Sequence, residues 1–75
     1  MHTEKDLHEA IALLKAVAGG EIETCSRKPM IALAAKFRHA RLLQPVATYM
    51  TNFAHGETQD TACAVAHIET LQSFL

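Results

Sequence analysis

Cys63 and His67 are the first residues in this sequence whose types and spacing could support chemistry. They are four positions apart, so on a helix they project from one face, with Asp60 about one turn earlier. Thiolate, imidazole and carboxylate groups are zinc ligands, but a convincing site needs about four of them, and His55 would have to join from outside the helix. The alternative is a small buried thiol beside a solvated histidine. We therefore expect no metal and no cofactor, and keep a metal-responsive protein as a minor hypothesis.

The same cysteine and histidine are also the minimum for a nucleophilic thiol with a base to activate it. Cys63, however, lies between two alanines in the interior of a predicted helix, and no loop suited to an oxyanion hole accompanies it. The sequence also lacks a phosphate-binding glycine loop, an HExxH motif and a pair of carboxylates spaced for acid–base work. A helical chain of 75 residues has little room for a pocket that excludes water. We expect no catalytic residues and a protein that is not an enzyme.

Charged residues are segregated along the chain. Residues 27–41 carry five basic residues and no acid, whereas the flanking segments are acidic and the formal net charge is −1. A basic helix can enter the major groove of DNA, so one hypothesis is a small nucleic-acid-binding regulator that uses residues 27–41. Against it, Lys36 lies about 160° from Arg38 around a helix, so the cations form no single stripe.

The basic residues have two further interpretations. They can pair with acids across the bundle, and the acids expected as partners are Glu4, Glu9, Glu57 and Glu69. Alternatively, they meet an acidic partner molecule, in which case the residues expected to make the charged contacts are Arg27, Lys28, Arg38 and Arg41.

A cluster of large apolar residues falls between positions 42 and 53, and two more end the chain. The residues concerned are Leu42, Val46, Tyr49, Met50, Phe53, Phe74 and Leu75. A single small core absorbs about half of such a set, and Tyr and Met are enriched in interfaces. We expect these residues to form an interface, either with a second copy across a two-fold axis or with another protein. The alternative is that all of them belong to the core.

The elements that must position these residues are helices. Apolar residues recur at helical spacing from about 4 to 18, with Thr3 and Asp6 suited to a capping box and Gly19-Gly20 suited to end the helix. Further helices are expected at about 29–43, 45–54 and 59–74. The second has two apolar faces and is expected to contact both neighbours. Thr58 is the expected N-cap of the last helix.

Pro45 leaves the middle of the chain open between two predictions. Either one helix runs from about 29 to 54 with a kink, or it breaks at Gln44 and Pro45 begins a separate helix, and we favour the break. Both versions predict an all-α fold, a small bundle of three to four helices that forms a single domain over residues 1–75.

Length and composition narrow the function classes. No apolar run approaches the roughly 20 residues that span a bilayer, so we expect no membrane association. The polar N-terminus is unlike a signal peptide, so we expect a cytoplasmic protein, with Cys25 and Cys63 as buried or half-buried thiols. A chain this short gains stability by self-association. We predict a non-enzymatic protein-interaction module, a small dimeric regulator that acts as adaptor, antiactivator or stoichiometric inhibitor.

Overall fold

The fold of this chain is all-α, as the sequence predicts. The computed structural model describes residues 2–20, 27–58 and 61–75, and these contain four α-helices and one short 3₁₀ helix. The α-helices are α1 (Glu4–Ala18), α2 (Arg27–Phe37), α3 (Gln44–Ala54) and α4 (Ala62–Gln72), and the 3₁₀ helix spans Arg41–Leu43. None of the helices in the described ranges has the length and apolarity that crossing a bilayer requires.

Both ends of α1 form as the sequence predicts. The Asp6 N–H donates to the Thr3 hydroxyl at 3.2 Å, and the Thr3 N–H donates to the Asp6 carboxylate at 2.9 Å, which completes the capping box. At the other end Gly20 has a φ of +71°, a left-handed conformation that glycine adopts without strain. The chain therefore leaves α1 at a position where a side chain would be unfavourable.

The break between α2 and α3 lies earlier than expected. We predicted a second helix to about residue 43 and a break at Gln44, but α2 ends at Phe37 and Ala40 is extended. Pro45 falls in the first turn of α3, where its missing N–H needs no acceptor and its ring meets no preceding turn. Gln44 is itself helical, although the residue before a proline usually avoids that conformation.

The predicted start of α4 is also wrong. The helix begins at Ala62 with Thr61 as its N-cap, and Thr61 makes no capping hydrogen bond through its side chain. Thr58 lies in the preceding loop rather than at the cap. Residues 59 and 60, where we predicted the helix to begin, lie outside the described residues, as do Cys25 and the rest of the connector 21–26.

The helices pack in two pairs around one apolar core. α1 packs mainly against α4, and α2 packs mainly against α3. The largest fully buried side chains come from every helix and are Phe37, Leu14, Met30, Leu43, Met50, Leu71, Val17 and Val46. Two contacts join the end of α2 to the first residues of the chain. Lys36 pairs with Asp6 at 3.2 Å, and the His2 ring packs edge-on against the Phe37 ring with 5.4 Å between centroids.

α2 does not use two apolar faces, contrary to our expectation. It buries Met30, Leu33 and Phe37, together with Ala34, but leaves Ile31 and Ala35 exposed. The reason is that α2 contacts α3 extensively and α1 only slightly, so its second face meets solvent.

Candidate protein-binding surface

The apolar cluster at residues 42–53 divides between core and surface. Val46 and Met50 are fully buried and Tyr49 is nearly so, while Phe53 is partly buried against the same core. Most of the apolar area of these residues is therefore buried within one chain. Val46, Tyr49 and Met50 could contact a partner only if the fold opened. The apolar surface of this cluster that remains accessible to a partner comes from Leu42 and, in part, from Phe53.

Leu42 is the exposed member of that cluster. Its side chain is 72% accessible, whereas that of the next residue, Leu43, is fully buried. The short 3₁₀ helix explains the difference, because successive residues of a helix point in different directions and only Leu43 faces the core. Leu42 is thus held on ordered backbone between the exposed Arg41 and the start of α3.

Arg38 is the best-anchored cation near Leu42. Its Nη2 donates to the Thr51 hydroxyl on α3 at 3.0 Å, and its carbonyl oxygen accepts from the Gln44 amide at 3.3 Å. The second bond gives a carbonyl at the end of α2 a partner after the helix has ended. Since the two bonds join both ends of the residue to α3, Arg38 lies in a defined position although it is exposed.

Residues 27–43, which we call the basic segment, carry five cations that contact few carboxylates. Lys36 pairs with Asp6 at 3.2 Å, and the other contact of this kind among the described residues joins His8 to Glu4 at 3.7 Å, which is an ion pair only when the imidazole is protonated. The expected pairing with Glu4, Glu9, Glu57 or Glu69 does not occur there. The other four cations of the basic segment make no ion pair with a carboxylate of the described residues; they are Arg27, Lys28, Arg38 and Arg41, and all four are exposed.

Asp6 has two roles, of which the sequence indicates only the cap. The backbone N–H of Thr3 lowers the pKa of the Asp6 carboxyl, burial opposes that effect, and the Lys36 ammonium lowers the pKa further. Asp6 is therefore ionised near neutral pH and connects the first turn of α1 to α2. One acid thus neutralises Lys36, and the rest of the basic segment keeps its charge.

The exposed side of α3 carries neutral hydrogen-bonding groups. Gln44 and Thr48 are exposed four residues apart, Asn52 follows four residues later, and Asn52 and the neighbouring Thr51 are half-buried. No acidic residue occurs between Arg27 and Ala54. We did not predict this polar stripe from the sequence, although the i, i+4, i+8 spacing of Gln44, Thr48 and Asn52 indicates it.

The apolar C-terminus is only partly covered by the chain itself. Phe74 is 39% accessible and Leu75 is 54% accessible, beyond the end of α4. We expected these residues to pack on the bundle or on a partner. The packing on the bundle is incomplete, so the contact with a partner stays a prediction.

Cys63 and His67 have different surroundings. Cys63 is exposed, which contradicts our expectation of a buried or half-buried thiol, whereas Cys25 lies outside the described residues. His67 is half-buried with its ring 4.8 Å from that of Tyr49, and burial lowers the pKa of its imidazole. Among the described residues no three His, Cys, Asp or Glu side chains gather as ligands for one ion, and Asp60 lies outside them. The metal-responsive hypothesis gains no support from this arrangement.

An open hollow of about 300 Å³ lies between α1 and the start of α2. Its lining is Glu9, Ala12, Leu13 and Pro29, so a single ionisable group faces it from the described part of the chain. A general acid and a general base need two titratable groups, and this lining does not offer both.

Comparison with protein-family models, with curated proteins and with solved structures finds no match for this chain. The exposed residues of the chain itself are therefore the basis for the function proposed below.

Proposed function

We propose that this protein is a non-enzymatic interaction module whose basic segment docks on an acidic surface of another protein. One observation carries the proposal: Leu42 is 72% accessible on an ordered turn within a segment that has five cations and no carboxylate. An adaptor, an antiactivator or a stoichiometric inhibitor would all work in this way, by occupying a surface that another molecule needs.

Leu42 serves as the apolar anchor of the proposed interface. A leucine side chain moved from water into a partner's pocket contributes roughly 1.5–3 kcal/mol, and a few such anchors dominate the energy of many interfaces. Ile31, 38% accessible on the outer side of α2, extends the apolar area along the basic segment. Tyr49 and Met50, which the sequence analysis placed in the interface with Leu42, do not serve as anchors in this proposal because the core buries them.

Arg38 and Arg41 form the charged contacts that accompany the anchor. Cations around an apolar contact accelerate association with an acidic partner and disfavour a basic one. Arg38 loses little conformational freedom on binding, because hydrogen bonds to Thr51 and Gln44 already position it. The same charges oppose self-association at this segment, since a second copy would bring another acid-free segment against it.

A nucleic-acid-binding regulator is the second candidate, supported by the neutral polar stripe of α3. Gln and Asn side chains can pair with adenine edges, and Thr can contact either base pair, in the major groove. Arg38 and Arg41 would then contact phosphates beside the helix. We rank this function second because Leu42 and Ile31, the large exposed apolar residues of the basic segment, have no role in contacts with phosphates.

Capture of partners by charge-matched variants tests the first proposal. The double variant Arg38→Glu, Arg41→Glu reverses two charges on the basic segment, and Lys5→Glu, Lys15→Glu makes the same change on exposed positions of α1. We expect a specific protein to bind the wild type and the α1 control but not the basic-segment variant. Once that protein is purified, Leu42→Ala should weaken its binding at least about tenfold. Equal binding by all variants would refute the proposal.

A mobility-shift assay with duplex DNA separates the two candidates. For the protein-binding module we expect no shift at low salt. A shift that weakens log-linearly as salt rises, and that Leu42→Ala leaves unchanged, would instead establish the nucleic-acid function. We place either activity in the cytoplasm, because an exposed thiol such as Cys63 stays reduced in that compartment.

A further inference from the structure

Arg38 is held at three points although it is exposed. Its backbone N–H donates to the Ala34 carbonyl at 3.1 Å, at the end of α2. Its carbonyl oxygen accepts from the Gln44 amide at 3.3 Å, and its Nη2 donates to the Thr51 hydroxyl at 3.0 Å. The backbone and the far end of this long side chain therefore both have defined positions, and the guanidinium group lies beside Thr51 of α3.

The guanidinium group keeps a complete binding edge after it bonds to Thr51. Arginine has five N–H groups, arranged as two forks that each match the two oxygens of a carboxylate. Nη2 contributes one hydrogen to each fork, so the single bond to Thr51 occupies one fork and leaves the other open. No carboxylate of the described residues takes the open fork, since the charged contacts there involve Lys36 and His8 instead. The Thr51 hydroxyl accepts from Arg38 and can donate its own proton to an oxygen bound beside it.

The side of α3 next to Arg38 is polar and carries no charge. Gln44 and Thr48 are exposed there, and Asn52 lies half-buried beside Thr51. Amide and hydroxyl groups can bond to both the N–H and the C=O groups of a peptide chain. Neither α2 nor α3 contains an acid, so an incoming carboxylate meets no like charge from these helices. This side of α3 therefore suits a polypeptide segment that has a carboxylate at one point and neutral backbone along the rest.

We infer that Arg38 and Thr51 form a carboxylate-binding subsite, at which an acidic segment of the partner protein lies along the polar side of α3. This inference rests on the proposed function, because it names the group of the acidic partner that the basic segment binds. It also gives the two arginines different tasks. Arg38 binds one carboxylate through its open fork, whereas Arg41, whose side chain makes no hydrogen bond within the described structure, contributes its charge alone.

Fluorescently labelled poly-L-glutamate is the probe that tests this subsite, with binding followed by anisotropy at low salt. Arg38→Lys and Arg41→Lys both keep the positive charge, but only the first removes a fork that is held in place. We expect Arg38→Lys to weaken binding about threefold or more, and Arg41→Lys to change it little. Thr51→Val, which removes the acceptor that holds Arg38, should weaken binding to a similar extent at unchanged charge. Thr51→Ser keeps the hydroxyl and should bind like wild type, and so should Thr70→Val, at a half-buried threonine of α4.

Equal binding by Arg38→Lys and Arg41→Lys would overturn the subsite, and this comparison decides the matter even if Thr51→Val does not fold. A folded Thr51→Val variant that binds like wild type would have the same meaning. If Arg38→Glu, Arg41→Glu loses binding in the same assay, the acidic partner would stand and the subsite alone would fail. A wild-type chain that does not bind poly-L-glutamate would also overturn the subsite, whereas the proposed function is decided separately by the capture of its partner.

Discussion

Met50 and Leu42 belong to the same apolar stretch of the sequence, yet the structure predicts a large loss of stability when Met50 is shortened and almost none when Leu42 is. Met50 is fully buried on α3, while Leu42 is 72% accessible on the turn before it. Met50→Ala removes three heavy atoms from the core, whereas Leu42→Ala removes three from a side chain largely in water. The pair therefore tests whether this stretch folds inward, as the structure has it, or outward, as the sequence alone suggests.

The expected loss for Met50→Ala is large relative to the total stability. Replacing a buried methionine by alanine costs about 2–5 kcal/mol, because apolar contacts are lost and the cavity closes only in part. A chain of 75 residues has a free energy of unfolding of roughly 4–11 kcal/mol. At 4–8 °C per kcal/mol for a domain of this size, Tm should fall by at least about 8 °C. For Leu42→Ala the free energy of unfolding should stay within about 0.5 kcal/mol of wild type.

Urea denaturation followed by circular dichroism measures the free energy of unfolding of both variants at one protein concentration. Equal slopes of the unfolding free energy against urea would show that the midpoints can be compared. A cost for Met50→Ala under about 1 kcal/mol would refute the placement of Met50 in the core. A cost for Leu42→Ala as large as that of Met50→Ala would refute the exposed placement of Leu42, and with it the anchor in the proposed interface.

Three further predictions concern the helix ends and the pH dependence of stability. Gly20→Ala should lower the unfolding free energy by about 1–2 kcal/mol because φ is +71°, while Gly19→Ala, at a φ of −85°, should lower it little; thermal melts compare them. The pKa of Asp6 is lower in the folded than in the unfolded chain, so Asp6 stabilises the fold above about pH 4, and this stabilisation is lost as pH falls through the folded pKa. In Asp6→Asn the free energy of unfolding, measured by urea titrations, should therefore depend less on pH in this acidic range. Burial lowers the pKa of His67, so the unfolded chain binds the proton first and stability should fall as pH drops below about 6.5; in His67→Phe this fall should disappear from the same titrations.

Local signals in the sequence were sufficient for the ends of α1. Thr3 and Asp6 are three residues apart, and Gly19-Gly20 follows the last apolar position, so the cap and the stop depend on neighbouring residues alone. The end of α2 has no such signal. Arg38, His39 and Ala40 all tolerate a helix, and the break arises because Pro45 must enter the first turn of a new helix some residues later.

The division of the apolar stretch between core and surface could not be predicted, because it depends on which helices meet. Periodicity placed Val46, Tyr49 and Phe53 on one helical face, but not the partner of that face. In the fold α3 packs on α2, and Tyr49 reaches His67 on α4, so one chain buries most of the stretch by itself. The same pairing leaves α2 with only slight contact to α1 and exposes Ile31, which its sequence pattern had placed inside.

The charge pattern and the helix pairing together place the arginines on one side of the fold. Residues 27–54 contain every arginine of the chain and no acid, and because α2 and α3 pack together, those charges stay on one helix pair. α4 belongs to the other pair and exposes mainly small and apolar side chains. At the basic segment two copies of this chain would bring like charges together, so the proposed interface favours an acidic partner over a second copy.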